Sequence, residues 1–272
     1  MAAKFWRNVR HDIRVYAASL KVQFKAAAVL RGAFIAQILG MILNNLGLVA
    51  AWAFFFERFG TVQGWGLPDF VAMQGMAMIV FGIMLFCCVG FMDLPRHVDS
   101  GSFDGFLTKP ASVMGQVGSS NIDITTIGDV LLGVVLVGWY IGYTDANMLS
   151  ILLMLAASVS ALVIFWCFVM VLPYVIAFYM FDSERLSRYA GIIFLDGMNY
   201  PSGTLTGKLR MVFLAAIPAL MVGVVPVDAL RGLRWEWVGY GALLAFGWLV
   251  FTLWIFKKAL RKYESANLIG AR

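Results

Sequence analysis

Charge is scarce in this sequence. Asp, Glu, Lys and Arg make up 13% of its 272 residues, about half the usual soluble share of roughly a quarter. Histidine is nearly absent, with only His11 and His97. Neither stands on a common helical face with an acid inside an apolar run, so a hydrolase or metalloenzyme built on histidine is poorly supported. The three cysteines, Cys87, Cys88 and Cys167, all sit in apolar runs without pairing or metal spacing. They read as small buried hydrophobes. What abounds is apolar: 61% of residues are hydrophobic and 15% aromatic. No soluble core of this size hides so much apolar surface, and disorder is excluded by the same figure. The composition leaves an integral membrane protein.

A hydrocarbon layer about 30 Å thick takes about 20 helical residues. Runs at 33–56, 70–92, 124–143, 149–180 and 238–256 meet that length. Pro173 is placed to kink the fourth. The stretch 181–237 is harder to read. Its apolar pieces, 189–200 and 209–225, are separated by Pro201-Ser-Gly203. Basic residues crowd the N-terminal flank (seven Lys/Arg between Lys4 and Arg31) and the C-terminal tail (five from Lys257 onward). The +6 net charge therefore reads as membrane anchoring, with no nucleic-acid partner expected. Termini on the same, cytoplasmic, side require an even number of crossings, hence a sixth within 181–237. Two placements stay open. Either 209–225 crosses, or 187–200 crosses and 201–231 re-enters from outside. Charge favours the first. Pro218 and Pro226 favour the second, since each lacks a backbone donor that a lipid-exposed helix needs. With no repeat or linker, 1–272 is expected to be one membrane domain.

The segment 9–30 is amphipathic. Val9, Ile13, Tyr16, Leu20 and Phe24 share one helical face, and Arg10, Arg14, Lys21 and Lys25 an adjacent one. Such a helix lies flat on a membrane or packs on a soluble subunit. Met1 to Gln23 holds no short apolar run ending in a small-residue cleavage site, so no cleavable signal is expected. Two acids fall at membrane depth. Asp129 follows Gly128 in the third run, and Asp196 lies in 189–200. Each is either a hydrogen-bonded acid near a helix end or a proton or substrate contact. Gly128, Gly133, Gly138 and Gly142 dot the third run, suited to close packing within the chain or to a subunit interface. Gly203-Thr-Leu-Thr-Gly207-Lys208-Leu209 only faintly echoes a phosphate loop. It is one residue short, and Leu209 replaces the magnesium-binding hydroxyl. The chain is not expected to hydrolyse ATP, to bind a metal or to hold a cofactor of its own.

The loop 93–122 is too apolar for an idle connection. Phe103, Phe106 and Leu107 stand three and four apart, so a short helix would show them on one side, bracketed by Pro95 and Pro110. That knob enters either a protein groove or the lipid surface.

Arg96-His-Val-Asp99-Ser-Gly101-Ser-Phe103-Asp104-Gly-Phe106-Leu107-Thr-Lys109-Pro110 resembles the R-x-V-x-x-G-x-F-D-x-x-L-x-K-P signature of bacterial ABC transporter permeases of the type-2 export class. Gly128-Asp129, Tyr200-Pro201, Pro218, Pro226 with Ala229-Leu230, and the ending Tyr263-Glu-Ser-Ala266 fit the same family. Val227-Asp228 after Pro226 and the lack of a second proline near Thr204 to Gly207 depart from it. The resemblance implies an all-α fold of six transmembrane helices. It adds an N-terminal elbow helix, a coupling helix between the second and third spans and an outer re-entrant hairpin before the sixth. It implies two copies of a cytoplasmic ATPase that carry ATP and magnesium, and a second permease, related or identical. The nine residues Arg96, Asp99, Gly101, Phe103, Asp104, Phe106, Leu107, Lys109 and Pro110 would then couple to the ATPase. Asn44, Asn45, Gln74, Asp196 and Asn199 would line a pathway. Asp129, Pro201, Pro218 and Pro226 would serve structure. An ATP-independent transporter or channel is the competing reading, against which stands the lack of any internal repeat.

Overall fold

The computed structural model describes residues 16–22, 24–25, 31–62, 64–109, 111–200, 207–232 and 235–263, without the side chains of Leu209 and Arg210. The described residues are helical and contain no strand. In chain order the helices are α1 (Arg31–Phe59), α2 (Leu67–Cys88), α3 (Leu94–Asp99), α4 (Asp104–Leu107), α5 (Val113–Gly118) and α6 (Ile127–Tyr143). Then come α7 (Met148–Phe165), α8 (Glu184–Met198), α9 (Gly207–Met211), α10 (Leu220–Leu230) and α11 (Glu236–Leu260). Five of the described helices, α1, α2, α6, α7 and α11, are long and apolar enough to cross a membrane once α2, α6 and α7 are counted with the tight turns that extend them.

Helix α2 is the axis of the bundle, its residues from Phe70 to Met78 all buried. Leu67 and Pro68 open it. The Asp69 carboxylate accepts from the Gly66 amide and so caps one of the free N–H groups there. Helix α6 lies against α2 through glycine. A Cβ at Gly133 would come within 2.6 Å of the Gly75 carbonyl oxygen, and one at Gly75 within 3.0 Å of the Gly133 oxygen. Lipid gives helices no hydrophobic reason to associate, so this backbone contact carries the packing. Gly138 and Gly142, by contrast, face open space. The glycine stripe thus splits: Gly128 and Gly133 pack inside the chain, against Ile38 and α2, and the Gly138-x-x-x-Gly142 pair does not.

The fourth run crosses with a change of pitch. Helix α7 widens to a π-turn over Trp166–Val171 and tightens to 3₁₀ over Leu172–Phe178. Pro173 is the cause, because its ring and missing N–H cannot continue a regular α-ladder.

Of the two pieces expected to hold the sixth crossing, 187–200 lies almost wholly in one helix, α8, and 209–225 is broken. Helix α8 has 15 residues, about 22 Å at 1.5 Å per residue. Helix α10 has 11, about 16 Å. The apolar piece 209–225 breaks at Ile217–Ala219, around Pro218, after a π-turn over Val212–Ala216. Pro226 lies buried inside α10. A Cβ on Gly197 near the end of α8 would meet Phe213 and Ala219, so α8 ends where α10 begins. Pro110, Pro201 and most of the faint phosphate-loop echo lie outside the described residues.

The bundle has two ends. One carries the connections 59–67, 143–148 and 230–236, where the Arg231 guanidinium reaches Asp69 at 3.5 Å and donates to the Gly64 carbonyl at 2.9 Å. The Tyr140 hydroxyl donates to the same Asp69. The other end carries Arg31, the folded loop 89–126, the turn 178–184 and Tyr263. Of the amphipathic segment 9–30, residues 16–22 and 24–25 are described and helical. There the Tyr16 hydroxyl donates to the Phe86 carbonyl at 3.3 Å.

Candidate functional site

Two places in the fold gather the residues singled out by sequence. The first is the loop at the Phe103 end. Helix α3 closes at Ser100, and Gly101 takes a φ of +70°. That left-handed turn suits glycine and ends the helix. It sends the chain back, so that the Phe103 amide donates to the His97 carbonyl at 2.9 Å. Phe103 therefore does not project. It is 0% exposed, with its ring 5.2 Å from Phe178 and 4.8 Å from Tyr263. The expected three-residue knob is corrected here, since an apolar ring next to an aromatic pocket of its own chain buries itself. Phe106 is half-buried against His97 and Phe103, and Lys109 reaches over its outer ring face at 5.6 Å. Leu107 is left exposed.

Polar bonds fix this unit to the rest of the chain. Arg96 donates two hydrogen bonds to Glu184, at 3.1 and 2.9 Å, in a forked pair. Arg188 reaches the same carboxylate at 2.8 Å. The two guanidiniums, Arg96 foremost, hold the Glu184 carboxyl below its ordinary range. Asp99 accepts from the Asp182 amide at 3.3 Å, and the Tyr263 hydroxyl donates to Asp104 at 3.0 Å. Gln116 donates to the carbonyls of Phe106 and Ala111, closing the far side. Glu184 and Gln116 were not singled out by sequence. Neither belongs to a motif, and Glu184 is one of several charged residues between Asp182 and Arg188. Tyr263 stood in the sequence only as part of the ending.

The second place is a pocket of about 330 Å³ between α1, α2, α6 and α8. Asn44 and Asn45 come from α1, Gln74 from α2, Asp129 from α6 and Asn199 from the end of α8. Apolar walls are supplied by Met41, Leu48, Phe81 and Met198. Asn45 donates to Asp129 at 2.6 Å, and Gln74 to Asn199 at 3.2 Å. Four of the five candidate pathway residues therefore share one pocket. Asp196 does not: it lies on the exposed side of α8, because the buried stripe there is Ser187, Gly191, Phe194 and Met198. Asp129 joins the pocket instead. It sits in the first turn of α6, as its polar neighbours suggest, yet level with the middle of α2. The Thr126 hydroxyl just before it donates to the Gly82 carbonyl, and Gly133 just after it packs on Gly75. Asp129 is 3% exposed.

Among the described residues no cluster of His, Cys, Asp and Glu is arranged to hold a metal ion. A bundle of membrane-length helices, with a polar pocket between them and a folded loop at one end, defines a multi-pass membrane protein. Residues 42–267 match the family described as ABC-2 family transporter protein, and the chain belongs to that family. Such permeases are membrane components, generally non-catalytic, and the family in general works with an ABC ATPase. No curated protein and no solved structure matches the chain.

Proposed function

We propose that this chain is one half of an ATP-driven ABC exporter, docked through its 93–122 loop on a separate cytoplasmic ATPase that carries the ATP and magnesium. Two ATPase copies and a second permease, related or identical, complete the assembly. The chain resides as one domain in a bacterial cytoplasmic membrane, with both termini and the Phe103 end on the cytoplasmic side. Helix α8 then makes the crossing within 181–237, about 22 Å of helix whose end at Gly197 packs on Ala219. The segment 201–231 re-enters from outside, and the segment 9–30 lies on the inner surface as an elbow.

The observation that carries this reading is the chain of contacts from loop to pocket. Arg96 of the loop grips Glu184 at one end of α8, and Asn199 at the other end of α8 binds Gln74 in the pocket. A push on the loop moves α8, and α8 moves a wall of the pocket. The contact surface on the ATPase side is Leu107 with Lys109 and the outer face of Phe106. Phe103 and Tyr263 form the rigid seat beneath.

The test is co-purification of the tagged chain in mild detergent, with retained proteins identified by mass spectrometry. An ABC ATPase is expected with the wild-type chain and is expected to be lost with Leu107→Asp, while membrane insertion is unchanged. Absence of any nucleotide-binding protein from the wild-type preparation overturns the reading in favour of an ATP-independent transporter.

A further inference from the structure

The mid-depth pocket carries one more inference. Asp129 is buried there with a neutral partner, the Asn45 amide. Among the described residues that line the pocket none is Lys, Arg or His. A carboxylate at this depth is costly unless a positive charge answers it. The walls are soft and apolar, with thioethers from Met41 and Met198 and the Phe81 ring. An aromatic face and polarizable sulfur both suit a weakly hydrated cation. The amides of Asn44 and Gln74 add polar contacts on either side.

We infer that the pocket binds an amphiphilic organic cation, a quaternary or protonated amine on an apolar body, with Asp129 as its counter-charge. This names the substrate class for the transport reading above and rests on it. Asn45 is a positioning residue, because its hydrogen bond holds the Asp129 carboxyl toward α1.

Binding is measured on the purified chain in nanodiscs by saturation-transfer NMR. The probes are benzyltrimethylammonium and its neutral isostere neopentylbenzene. The cation is expected to bind at least about tenfold more tightly than the neutral probe. Asp129→Asn keeps an acceptor for Asn45 and is expected to abolish that preference. Asp129→Glu restores it, and Asp196→Asn leaves it intact. Equal binding of the two probes, no binding of either, or an unchanged preference in Asp129→Asn overturns the inference. The assay contains no ATPase, so a negative result leaves the exporter reading standing, whereas a failed co-purification leaves the cation site standing.

Discussion

Phe103 and Leu107 stand four residues apart in one loop and do opposite things. The first ring is 0% exposed in an aromatic cage, whereas the second side chain is open. Phe103→Ala deletes a fully buried ring and is expected to cost about 3–5 kcal/mol of local stability. Leu107→Ala is expected to cost almost none. Limited proteolysis of the two variants measures the difference: cleavage within 93–122 accelerates in the first and not in the second. This distinction was not legible in the sequence. Spacing shows that Phe103, Phe106 and Leu107 share a side of a helix. It does not show which ring finds a partner from Phe178 or Tyr263, each more than seventy residues away. Asp129 was legible as an acid at membrane depth, and Asn44, Asn45, Gln74 and Asn199 as polar residues in apolar runs. That they converge needed the packing of four helices. Asp196 shows the converse, since an acid in an apolar run can face outward when the helix stripe turns the other way.

At the scale of elements, backbone contact and one forked ion pair set the behaviour. Gly133→Ala drives a methyl to 2.6 Å from a backbone oxygen that cannot retreat, and is expected to destabilise the α2–α6 contact by about 1–3 kcal/mol. Gly138→Ala meets nothing within 4 Å and is expected to leave the melting temperature of the purified chain unchanged. A fall with Gly138→Ala would place that glycine at a contact beyond this chain. The tie between loop and α8 depends on acid strength. Glu184 releases its proton more readily folded than unfolded. Its contribution is therefore present above the unfolded value, about pH 4.3, and is lost as pH falls through the lower folded value. Spin labels at Ser102 and Tyr189 are expected to show one narrow distance at neutral pH and a broadened one below about pH 4. Glu184→Gln is expected to give the broad distribution at both. The long helices were legible from apolar run length alone. Helices α8 and α10 were not, because at 15 and 11 residues each falls short of the about 20 that a single crossing takes.

For the molecule as a whole, the helix directions place Arg31, Ser102 and Lys262 at one end and Asp145 at the other. In a background with Cys87, Cys88 and Cys167 replaced, single cysteines at Ser102 and Lys262 are expected to react with an impermeant maleimide only in inside-out vesicles. A cysteine at Asp145 is expected to react only in right-side-out ones. Labelling of positions 102 and 262 from opposite sides would leave an odd number of crossings between them and overturn the crossing proposed for α8.

Tyr263, just past α11, packs edge-to-face on Phe103 and bonds Asp104, so a ribosome must extend the chain past α11 before the loop at 93–122 can set. Until α11 has threaded the bilayer, the surface around Leu107 lacks its foundation. Under the proposed docking role, a chain not yet extended past α11 would present no finished surface to an ATPase, and recruitment would report that α11 is in place.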